Sequence, residues 1–153
     1  MKTNEKTTEV LNDLIRINND RVEGYEKATK ETRAEDADLR ALFHDMTNES
    51  RAYVTELNKY VVEKGVEPAD GTTKRGKIYR VWMDVKTTFS GHDRKSILAA
   101  CEFGEDAAQR AYESALTSDA EMPPEIRQTI VDQQSILKRS HDKIKQMRDK
   151  HAV

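Results

Sequence analysis

Along most of this chain the apolar side chains stand three and four positions apart, broken by short polar links. That spacing is the period of one helical face, and a strand, which alternates every second residue, cannot bury it. Leu11, Leu14, Asn18, Val22 and Tyr25 draw one stripe and predict a helix over about 8–29, capped by Thr8 or Asn12. Leu39, Leu42, Met46, Glu49, Tyr53, Leu57 and Tyr60 predict a second over about 36–64, ended by Gly65 with Pro68 beyond. A third runs over about 93–116 through Leu98, Cys101, Glu105, Ala108, Tyr112 and Ala115. The last, over about 123–150, starts on Pro123-Pro124-Glu125 and carries Ile126, Ile130, Gln134, Leu137, His141 and Ile144 inward.

Link lengths set the topology. The first and second helices are joined by a few residues, and so are the third and fourth, which forces two antiparallel hairpins. Between the hairpins the chain is long enough to travel the whole bundle. It carries a short amphipathic helix over about 77–89 built on Ile78, Val81, Trp82, Val85 and Phe89, a candidate docking surface or a cover for the bundle. The expected fold is therefore all-α: one ferritin-like antiparallel four-helix bundle over residues 1–153, with a long crossover. An internal repeat agrees, since Leu98, Cys101, Tyr112, Glu113 and Ala115 stand 87 positions after Leu11, Leu14, Tyr25, Glu26 and Ala28. The same offset pairs Asn18 with Glu105, two polar residues on otherwise apolar stripes.

Composition narrows the function. Charged residues make up 35% of the chain, yet the net charge is only -2, so nothing electrostatic draws it to nucleic acid or an anionic membrane. One cysteine, Cys101, excludes an internal disulfide framework and a multi-Cys zinc site, and on its stripe it reads as a buried, inert thiol. No run of apolar residues approaches the roughly 20 that span a bilayer, and the first residues lack a signal peptide's apolar core, so a cytoplasmic location is expected. No phosphate loop, nucleophile elbow or nucleophile–base pair is present, and no catalytic residue is expected.

A carboxylate-bridged di-metal site in a bundle takes one Glu from each of two helices and Glu-x-x-His from each of the other two. The inward polar residues expected here are Asn18, Glu49, Glu105 and Gln134, one per long helix. Two are amides, and the positions three beyond Glu49 and Gln134 are Ala52 and Leu137 rather than histidine. Glu49 and Glu105 are the candidate metal ligands, with Asn18, Glu102, Gln134 and His141 as weaker ones and Asp106 as a further carboxylate. The preferred reading of this layer is structural: amides and acids hydrogen-bond across helices and fix register. His141 reads as a core histidine bonded to Tyr53 or Glu26. Tyr25, Tyr53, Tyr60 and Tyr112 line inner faces and need partners for their hydroxyls.

Several segments carry a resemblance. Asn12-Asp13-Leu14-Ile15-x-Ile17-Asn18-Asn19-Asp20, Glu23-Gly24-Tyr25-Glu26-Lys27-Ala28, Arg80-x-Trp82-Met83-Asp84, Cys101-Glu102-x-Gly104-Glu105-Asp106-Ala107-Ala108, Ala111-Tyr112-Glu113 and Ser140-His141-Asp142-Lys143-Ile144 together resemble an uncharacterised bacterial family of ferritin-like bundles. The resemblance implies a fold of the ferritin and rubrerythrin superfamily and no established activity. Two function classes follow. One is a non-enzymatic structural or partner-binding bundle without cofactor, with a homo-oligomer as one form. The other is a degenerate metal-binding bundle that stores or oxidises iron or manganese. A third, a small-molecule binder, would need a cavity beneath the tyrosines.

Overall fold

The computed structural model describes residues 2–65 and 94–150, and all the described regular structure is helical. Helix α1 spans Lys2–Glu31, α2 Ala37–Glu63, α3 Arg94–Thr117 and α4 Pro124–Lys150. The crossover helix expected over 77–89, with Trp82, lies outside the described residues, as do His92 and His151. Among the described residues no helix is long and apolar enough to cross a membrane.

The expected end of α2 at Gly65 and start of α4 at Pro124 hold, while Pro68 lies outside the described residues. Gly65 follows the α2 C-cap at φ 75°, and its N–H donates to the Val62 carbonyl at 2.9 Å. Pro124 opens α4, where its missing N–H costs nothing, and the Pro123 carbonyl accepts from Arg127 N at 3.0 Å. The start of α1 differs. It begins at Lys2, so Thr8 and Asn12 lie inside the helix rather than capping it, and the Thr8 hydroxyl donates back to the Glu5 carbonyl at 3.0 Å. The Lys, Thr and Glu residues of 2–9 carry no apolar stripe, but tertiary contact stabilises this end. Lys6 Nζ donates to Asp119 at 2.6 Å, and the Thr7 hydroxyl donates to the Glu121 carbonyl in the α3–α4 link.

Cross-helix contacts give the directions. Along the α1–α2 pair, Asn18 meets Ser50 and Tyr25 meets Phe43, so the two are antiparallel. Along α1–α3, Asn18 meets Tyr112 and Tyr25 meets Glu105, again antiparallel. Along α2–α4, Tyr60 meets Thr129 and Glu56 meets Gln133. Helices α2 and α3 are therefore parallel, and Arg94 confirms it by binding Asp36 and Asp38, so both helices start at one end. Glu63 and Arg94 lie at opposite ends of the bundle. Backbone contact is most extensive between α1 and α2, then α3 and α4, then α1 and α3; of the neighbouring pairs α2 and α4 share least.

The core is one cluster drawn from all four helices. Leu11, Leu14, Leu39, Phe43, Leu57, Leu98, Ile130, Leu137 and Ile144 are shut from solvent. Burying each such side chain contributes about 1.5–3 kcal/mol before the entropy of ordering it. Into this apolar mass the chain places a polar layer.

Candidate functional site: a polar layer centred on Arg21

At the middle of α1, Asn18, Arg21 and Tyr25 share one face at spacings of three and four. All three are buried, Arg21 with 1% of its surface exposed. The Arg21 Nε–H donates to Glu105 Oε1 at 2.5 Å, and Nη1 lies 2.9 Å from Glu49 Oε1. Nη1 also donates to the Ser50 hydroxyl at 2.8 Å, and the guanidinium carbon sits 5.3 Å from the centre of the Tyr25 ring. The Tyr25 hydroxyl donates to the same Glu105 oxygen at 2.9 Å. One cation thus sits between Glu49 and Glu105, the two candidate metal ligands of the alternative reading.

The hydrogen bonds run on from there in a consistent sense. The Ser50 hydroxyl donates to Asn18 Oδ1 at 2.9 Å, and Asn18 Nδ2 donates to the Tyr112 hydroxyl at 2.7 Å. Tyr112 donates to Gln133 Oε1 at 2.7 Å, and Gln133 Nε2 donates to Glu56 at 2.9 Å. On the other side Ser140 donates to Glu49 Oε1 at 3.2 Å. All four helices are linked by one network. Arg21 Nη2, Glu105 Oε2 and the Tyr53 hydroxyl have no hydrogen-bond partner among the described residues, so part of the desolvation cost stays uncompensated.

The electrostatics follow from this packing. Burial alone would pull the Arg21 guanidinium towards losing its proton, but Glu105, Tyr25 and Glu49 outweigh it and hold the charge more firmly than usual. Glu49 retains 22% exposure. Burial pushes its carboxyl above the ordinary value, with Arg21 pulling the other way. Burial also raises Tyr25, Tyr112 and Cys101. The thiol is enclosed, as its stripe position predicts.

Two residues expected to point inward do not. On α4 the buried amide is Gln133, with 2% exposure, whereas Gln134 is half-buried and offers only its backbone carbonyl, to Gln109 Nε2 at 3.3 Å. Ser140 rather than His141 faces the interior; His141 turns to the α3–α4 seam and meets neither Tyr53 nor Glu26. Its Nε2 lies 2.6 Å from Asp106 Oδ1 and its Nδ1 3.1 Å from Asp142 Oδ1. Ligand atoms of Glu102, Asp106 and His141 all lie within 4.8 Å of one another, and Glu102 is ion-paired with Arg148. On α1, Val22 is only half-buried and Arg21 takes the place next to it.

The repeat supplies the signal for each of these. With the same offset of 87 positions, Leu39, Phe43, Met46, Ser50, Tyr53 and Leu57 fall on Ile126, Ile130, Gln133, Leu137, Ser140 and Ile144, and both sets are buried. Arg21 falls on Ala108, likewise buried. Even the polar bonds repeat: Tyr25 reaches from α1 to Glu105 on α3, and Tyr112 reaches from α3 to Asn18 on α1. The symmetry breaks at Arg21, whose equivalent position on α3 carries only the methyl group of Ala108.

No curated protein matches the chain. A family model described as a domain of unknown function, DUF2383, matches residues 6–118, well over half of the 153 residues. That span takes in most of α1 and all of α2 and α3, with Arg21, Glu49 and Glu105, and the chain belongs to this family.

Proposed function

We propose that the protein is a ferritin-like bundle that acts without chemistry of its own, as a structural or partner-binding protein. The carrying observation is the Arg21 guanidinium between Glu49 and Glu105. A buried cation already neutralises the carboxylates that a di-metal centre would need, and a second positive charge there would meet repulsion in a medium of low dielectric. Gln133 stands on α4 where a metal bundle would present a carboxylate, and three positions on is Ile136 rather than histidine. Two hairpins with α2 and α3 parallel support the ferritin-like assignment, because that connectivity needs one bundle-length crossover.

The alternative, an iron or manganese bundle with storage or oxidase-like activity, draws support from the convergence of Glu49 and Glu105 on one point. Aerobic oxidation of Fe²⁺ by the purified full chain separates the two. The expected result is a rate no faster than the protein-free control. Turnover above that control, lost in Glu49→Gln and Glu105→Gln, would overturn the proposal in favour of metal chemistry. A homo-oligomer is the partner to test first, by light scattering across a range of concentrations. A monomer throughout would remove that form of the proposal.

A further inference from the structure

We propose that Glu102, Asp106 and His141 bind a single first-row divalent cation on the α3–α4 seam, a site separate from the Arg21 layer and beyond the function proposed above. Glu102 and Asp106 stand four apart on α3, so both carboxylates share one face, and α4 brings His141 against them. The ligand atoms lie within 4.8 Å of one another. Neighbouring ligand atoms on a tetrahedral ion stand about 3.3 Å apart, so the wider separations must close while the 2.6 Å between His141 and Asp106 opens slightly. None of the three is sealed in: side-chain exposures are 14% for Glu102, 46% for Asp106 and 17% for His141.

His141 is held from its far side. Its Nδ1 is within hydrogen-bond distance of Asp142, the carboxylate–histidine arrangement that fixes the tautomer of a metal-binding imidazole. With the Nδ1 proton directed at Asp142, Nε2 presents a lone pair to Asp106 Oδ1 at 2.6 Å. That nitrogen is closed off from solvent and, beside the close approach of Asp106, has no hydrogen-bond partner among the described residues. Two electron-rich atoms held this close call for positive charge between them. One imidazole nitrogen and two carboxylate oxygens suit Zn²⁺ or Mn²⁺, with the remaining coordination positions left to water.

Arg148 is the internal competitor. It pairs with Glu102 and at the same time with Asp149, Nη2 to Oδ1 at 2.9 Å. When a metal takes Glu102, Arg148 therefore keeps a carboxylate partner. Removing it leaves the triad more negative, and binding tightens.

The test is calorimetric titration of the chelator-stripped full chain with ZnCl₂ and with MnCl₂, with helix content checked by circular dichroism. One equivalent is expected to bind. His141→Ala and Asp106→Asn should weaken binding by about tenfold or more. Arg148→Ala should tighten it, and Glu49→Gln should leave it unchanged. The proposal is overturned by no binding at millimolar metal, by His141→Ala binding as the parent does, or by loss of binding in Glu49→Gln alone. A proton bridging His141 and Asp106 in place of the metal would appear as the first of these.

Discussion

Arg21 and Glu105 carry their charges where neither reaches water, with exposures of 1% and 0%. A buried pair of this kind adds little net stability over an apolar pair of similar volume, but breaking it by removing one partner costs about 3–5 kcal/mol. Glu49 is the lesser counterion. Burial has raised its pKa, so the folded state keeps this proton to higher pH than the unfolded chain does. The associated stability is complete below the ordinary value of 4.5 and declines as pH rises through the folded value. In urea unfolding from pH 4.5 to 7, the midpoint of Glu49→Gln should therefore gain on the parent as pH rises. The opposite trend would show that Arg21, not burial, dominates at Glu49. Asp38 has the reverse sign. Hydrogen bonds from Arg94 hold it at about 2, so its contribution is present above the ordinary carboxylate range and is lost as pH falls towards that value. It is 58% exposed, so salt screens the effect and it should be small.

At the scale of elements, local chemistry sets the ends and periodicity sets the faces. Gly65 holds φ 75° with open space around the position a Cβ would take. Gly65→Ala should cost about 1 kcal/mol in unfolding free energy from backbone strain alone, and Gly65→Asn less. An unchanged stability in Gly65→Ala would mean that α2 does not depend on this cap. The helices and their partners were legible because stripes at three and four positions leave no other way to bury the chain. The layer was legible in kind and misplaced in detail. Asn18, Glu49 and Glu105 lie in it, but Gln134 was expected where Gln133 stands. A stripe drawn from 130 can step by three or by four, and both steps meet a glutamine. Arg21 was hidden for a different reason: hydropathy sends a lone arginine to the surface, and only its counterions on α2 and α3 keep it inside. Extending the repeat from α1 and α3 to the second helix of each hairpin resolves both, because Met46 on the predicted stripe of α2 corresponds to Gln133, and Ala108 on that of α3 to Arg21.

The whole molecule joins two copies of a hairpin plan around one asymmetric centre. Its topology has a direct consequence for distance. Asp38 and Lys95 start α2 and α3 at the same end, where Arg94 bridges to Asp38 at 2.6 Å. Spin labels at these two positions should lie close together. An up-down-up-down bundle would separate them by nearly the helix length, about 40 Å for 27 residues, and that result would refute parallel α2 and α3.

The clamp at the centre is tested most directly by a double-mutant cycle in urea unfolding, with Arg21→Met, Glu105→Leu and the two combined. Arg21→Met strands Glu105 and should destabilise the fold by about 3–5 kcal/mol; Glu105→Leu leaves Arg21 only the part-exposed Glu49 and should cost less, while the double, left with an apolar pair, should recover much of the summed loss. Additive losses, agreeing to about 0.5 kcal/mol, would mean that the two side chains do not depend on each other, and the guanidinium would not be what ties the four helices together.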